Sequence, residues 1–159
     1  MELLYITLRS IHVLSAASWL GEVVVINFVL LPILFRLPPE EGARFLQQVF
    51  PRLFRLASIL ALTTILAGLA LALITSRGQF GLFLDSRWGR FIIAGGTMGL
   101  LLALFHFFLE GRLEQPINVA HANPSEMESV YRRLRVVPRV GLGVIAMVFL
   151  LMINAAHGF

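Results

Sequence analysis

The chain has 159 residues, of which 58% are hydrophobic and only 14% charged, and its mean hydropathy is +0.84. Thirteen basic residues, all of them Arg, outweigh nine acids to give a net charge of +4. The absence of Cys excludes thiolate metal sites, iron–sulfur clusters, c-type haem attachment and disulfides, and arginines never gathered into one stripe argue against a nucleic-acid partner.

Four apolar stretches occupy most of the chain, at roughly 10–35, 53–75, 91–109 and 140–156. A helix rises about 1.5 Å per residue, so about 20 apolar residues cross a hydrocarbon core of about 30 Å. A chain this short cannot wrap four such helices in polar ones. The expected fold is therefore all-α: an integral membrane four-helix bundle, one membrane domain over 1–159, with the lipid bilayer as its solvent.

The first stretch follows Met1 and Glu2, not a basic segment, and runs far past Ala17, which reads as an uncleaved helix and not a signal peptide. Pro32 should bend its far end. Pro38, Pro39, Glu40 and Glu41 then mark a new helix start. Phe45, Leu46, Val49 and Phe50 recur at helical spacing opposite Glu41, Arg44 and Gln48, which predicts a short amphipathic helix on the membrane surface. Pro51 opens the second span. A short loop, 76–88, holds Gly78, Gly81 and Asp85 and ends on Trp88, placed as an interfacial aromatic anchor. The third helix is expected to continue to about Glu114 and stop at Pro116. Asn123, Pro124 and Glu126 resemble an N-cap, a first-turn proline and an N3 acid. They predict a cytoplasmic helix that stops before Pro138 and the fourth span.

Arginine placement sets the expected orientation. Loops one and three carry Arg36, Arg44, Arg52, Arg55, Arg112, Arg132, Arg133, Arg135 and Arg139. The other side carries Arg9, Arg77, Arg87 and Arg90. The bias places loops one and three in the cytoplasm and both termini outside an inner (plasma) membrane.

Polar residues inside the spans are expensive and therefore informative. His12, Ser15, Trp19 and Glu22 follow one another at spacings of three, four and three residues, within about 80° of arc at 100° per residue. They form one inward face. Gly95, Gly99, His106 and Glu110 share a face of helix three, where Gly95 and Gly99 permit close helix approach. Helix two aligns Thr64, Gly68 and Thr75, and helix four aligns Gly143, Met147 and Asn154, with His157 at its outer end. Glu22 reads as lying near the membrane midplane with no basic residue at its depth. A carboxylate there is either neutral and hydrogen-bonded, to Thr64 or to a backbone carbonyl, or it holds a proton or cation. His12 and His157 fall near the outer surface, His106 near the inner one and His121 in an inner loop. Roughly 18 Å of helical rise between His12 and His106 prevents them from sharing one metal. His12 with His157 is the pair that depth allows, with Asp85 or Trp88 nearby. Met147 and Met152 lie on different faces of helix four and read as packing. No phosphate loop, HExxH or nucleophile elbow is present, so no catalytic residue is expected.

The segment Ile11 to Gly21, with His12 seven residues before Trp19 and Gly21 close behind, resembles the opening helix of CopD-like copper-resistance membrane proteins. Arg52 to Ala57 and Trp88 to Phe91 are also similar to that group. The small four-helix HemJ family shares the His-to-Trp spacing, and His106-Phe107-Phe108 resembles its helix-three His-Phe-Phe. The chain departs from both families at Gly95, where they tend to carry Lys, and from HemJ at Ile33, where HemJ carries a second His. The CopD resemblance implies copper binding or transport, with His12, His157 and Glu22 as metal residues and Trp19, Ser15 and Asn154 lining the site. The HemJ resemblance implies instead a b-type haem, with His12, His157 or His106 as ligands. A third expectation is a non-catalytic subunit that docks onto other membrane subunits or onto its own copies.

Overall fold

The computed structural model describes residues 2–77, 79, 81–119 and 124–157, and within them every side chain except those of 82 and 109–127. His121, Asn123 and Gly78, and the side chains of Glu110, Arg112 and Glu126, lie outside the described residues. The described chain is helical, with α1 at Glu2–Val25, a π-helical turn at Ile26–Leu30, α2 at Leu31–Leu34, α3 at Pro39–Ser76, α4 at Gly81–Asp85, α5 at Arg87–Val119 and α6 at Pro124–His157. Four helical stretches are long and apolar enough to cross a membrane: Glu2–Leu34, Pro39–Ser76, Arg87–Phe108 and Glu128–His157. The chain is a multi-pass membrane protein on that ground.

Three of the expected helix breaks are absent. The amphipathic segment after Pro39 runs without interruption into the second span, so Pro51 lies inside the 38-residue α3. Pro138 likewise lies inside α6, and α5 continues past Pro116 to Val119. A proline removes one backbone hydrogen bond and crowds the preceding turn. Here that cost does not end the helix.

Pro32 acts differently. The turn just before it is π-helical, and the Leu31 N–H reaches back to the Ile26 carbonyl in the wider loop. The extra residue in this turn accommodates the ring that an α-helical turn would crowd. Leu31 and Leu34 are thereby turned into an apolar cluster with Ala43, Leu46, Phe50, Val130 and Leu134. A second cluster, Trp19, Ala57, Ala61, Ala103 and Ile145, joins all four long helices one layer further along. Two layers therefore fix the helix levels.

The small-residue seam expected on α5 is real. A methyl group on Gly95 would come within 2.6 Å of the Met152 side chain, and one on Gly99 would touch Val148. The stripe expected on helix four is not internal. Gly143, Met147, Asn154 and His157 are exposed, and α6 buries Val130, Leu134, Ile145 and Ala155 instead. The glycines of α5 already permit close approach, so the facing side of α6 supplies bulk to fill the seam. Thr75 is exposed as well.

The 76–88 connection contains more structure than a loop. Ser86 caps α5, its Oγ accepting the Gly89 N–H at 2.9 Å. Trp88 stacks on Phe83 of α4, with centroids 5.3 Å apart. A Cβ on Gly89 would run into the Phe83 backbone, so only glycine permits this approach.

Candidate functional site

The inward face read from α1 is borne out: its buried residues are Ser15, Trp19 and Glu22, and His12 is half-buried beside them. The face divides into two sites.

The first is a fully bonded polar layer. His12 Nδ1 lies 2.8 Å from the Thr64 carbonyl, Thr64 Oγ1 donates to Ser15 Oγ at 2.9 Å, and Ser15 Oγ donates to the Ile11 carbonyl at 2.7 Å. A carbonyl only accepts, so Nδ1 carries a proton, which in the neutral ring leaves the lone pair on Nε2. Gly68 makes room for the ring, since a methyl there would stand 2.9 Å from His12 Cε1. Thr64 is therefore committed to Ser15, not to Glu22.

The second site is a chamber one to two turns further along. Glu22, 8% exposed, lines it together with Trp19 from α1, Phe50 and Phe54 from α3, Phe105 and His106 from α5, and Pro138 and Gly141 from α6. Neither Glu22 oxygen has a hydrogen-bond partner among the described residues. His106 Nε2 is 3.1 Å from Ser58 Oγ, and the ring meets Phe54 edge-on, with centroids 6.3 Å apart. The cavity volume is about 100 Å³, several times what one water needs.

The structure sets the level of Glu22 against its neighbours. It shares the chamber with Leu53 and Phe54, which lie between Arg52 and Arg55, and with Pro138, the neighbour of Arg139. Those arginines are exposed and mark where the apolar stretches of α3 and α6 end. The first helix itself stays apolar beyond this level, through the π turn and α2. His12 at Thr64 and Gly68 and His106 at Ser58 are separated by six to ten residues of α3, or about 9–15 Å. They stand at different levels, as the sequence implies. Glu22 and His106, by contrast, come together.

Two expected site residues lie on the surface. Asn154 is exposed and donates to its own Leu150 carbonyl at 2.7 Å. His157 is exposed and sets Nδ1 2.8 Å from the Ile153 carbonyl. Among the described residues no three His, Asp or Glu side chains converge on one point.

Asn27 is a residue the sequence reading missed. It sits on the π turn and donates to the Val23 carbonyl at 2.8 Å and to the Pro138 carbonyl at 2.9 Å. It thereby ties α1 to α6 at the arginine-rich side of the chamber. Its position off the His12–Glu22 face concealed it, because the π turn rotates the helix face by an amount that a regular 100° step does not include.

No curated protein and no solved structure matches the chain. Residues 14–116 match the family described as Domain of unknown function (DUF4149), a stretch that includes Trp19, Glu22, Asn27 and His106 but stops short of His12 and His157. The match covers more than half of the 159 residues, and the chain belongs to the DUF4149 family.

Proposed function

We propose that the protein binds and passes a cation through the middle of its helix bundle, copper being the ion that the CopD-like features of the first three helices imply. The observation that carries this reading is Glu22: a carboxyl group buried in an apolar chamber with both oxygens unpartnered among the described residues. A buried, unsatisfied carboxyl costs free energy that a purely structural residue would not incur. His12 supports the same reading, since a ligating imidazole commonly donates its other N–H to a carbonyl, as Nδ1 does to Thr64. In this scheme His12 receives the ion in the half nearer the termini, and Glu22 supplies the compensating charge as the ion passes toward the arginine-rich end. The arginine bias makes that end cytoplasmic in a plasma membrane.

A haem reading has less support. A cavity of about 100 Å³ falls well below the ~300–1,000 Å³ of sites that enclose drug-sized ligands, so a macrocycle would need the helices to separate. Elemental analysis and an absorption spectrum of the detergent-purified chain test both readings. Bound copper that falls at least tenfold in affinity in His12→Ala and Glu22→Gln is the expected result. Copper binding unchanged in both variants overturns the metal route, and a strong Soret band would restore haem.

A further inference from the structure

We infer that the Glu22 chamber accepts a small organic ammonium ion, held by the carboxylate on one side and by aromatic walls on the others. The inference rests on the cation reading above and names a class of cation for this chamber. Among its described lining residues only Glu22 and His106 can ionise or coordinate, one contributed by α1 and one by α5, and α3 and α6 contribute none. Hard cations take six or more oxygens, and structural transition-metal sites take about four donors. Two donors let a metal ion pass but fall short of a resident shell of either kind. A quaternary ammonium ion makes no such demand, because its charge is spread over carbon-bound hydrogens and its weak hydration is cheap to remove.

The walls match that chemistry. Trp19, Phe50, Phe54, Phe105 and His106 all line the cavity. Phe50 and Phe54 meet at 76°, and Phe54 and His106 at 64°. The three rings therefore lie in different planes and meet edge to face. Cations are attracted to aromatic faces, most strongly where water is excluded, and cages of this kind are how quaternary ammonium groups are recognised. Glu22 completes the set with the compensating charge, and its two unpartnered oxygens are the atoms that a bound cation would satisfy. The volume of about 100 Å³ suits a trimethylammonium-sized group and not a bulky drug.

The test uses the full chain in lipid nanodiscs. Trp19 and Trp88 are its two tryptophans, so a Trp88→Phe background leaves Trp19, inside the chamber, as the only reporter. Choline chloride is titrated at constant ionic strength and compared with its uncharged isostere 3,3-dimethylbutan-1-ol. Expected are a saturable change in Trp19 emission with choline, at least tenfold weaker binding of the isostere, and at least tenfold weaker choline binding in Glu22→Gln. The isostere comparison is made on the unmutated chamber, so it stands even where the Gln variant folds poorly. Equal binding of choline and the isostere, or no saturable response to choline, overturns the ammonium assignment. If copper still binds in a Glu22-dependent manner, the cation reading survives that result; if neither ion binds, both readings fall together.

Discussion

Replacing Glu22 with Leu should make the protein more stable. The carboxyl is 8% exposed, and neither oxygen has a partner among the described residues. A buried polar group left unsatisfied costs about 1–3 kcal/mol. Leucine removes that cost and can occupy part of a cavity of about 100 Å³ without overpacking. The expected gain is therefore about 1–3 kcal/mol, or a rise of several degrees at roughly 2–4 °C per kcal/mol for a chain of this size. Thermal or SDS-driven unfolding in mixed micelles would measure it. Thr64→Val serves as the opposite control, because it removes the 2.9 Å bond to Ser15 and should cost about 0.5–1.5 kcal/mol. The sign is what matters. A loss of 1 kcal/mol or more in Glu22→Leu would mean that the carboxyl has a structural partner, and the argument that it is retained for a ligand would collapse.

Three other outcomes follow from named contacts. Gly89→Ala should push α4 away, since the new methyl meets the Phe83 backbone; a red-shifted Trp88 emission and a loss of about 1–3 kcal/mol are expected, and an unshifted spectrum would contradict the close approach. Asn27→Leu removes the link to the Pro138 carbonyl and should lower stability by about 0.5–1.5 kcal/mol, with faster amide exchange around Pro138; unchanged exchange there would mean that the bond does not tie the helices. Single cysteines added to this cysteine-free chain at Gln48 and at Glu2 should label from opposite sides of the membrane, and labelling from one side would refute the four-pass topology.

The spans were legible because apolar runs of this length have few alternatives, and the inward face of α1 was legible because four polar or aromatic residues kept helical spacing. What followed the prolines was not. Pro51 and Pro138 carry the local signal of a boundary, yet packing on either side holds α3 and α6 continuous. The level of Glu22 relative to the other helices was not legible for a related reason: its helix stays apolar beyond the level where Arg52, Arg55 and Arg139 appear on the neighbours. The meeting of Glu22 with His106 depends on how antiparallel helices register, which no single helix encodes. Asn154 failed as a lining residue because an amide in a helix can satisfy itself on its own preceding turn.

The continuity of α3 has a mechanical corollary. Thirty-eight residues make a rod of about 57 Å, against about 30 Å of hydrocarbon, so nearly half of it projects beyond the acyl chains. Phe50 and Phe54, two walls of the chamber, belong to that same rod. A lateral pull on the projecting segment therefore arrives at the aromatic walls through one unbroken helix, with Pro51 as the weak point along it. The aromatic walls and the projecting lever are a single part.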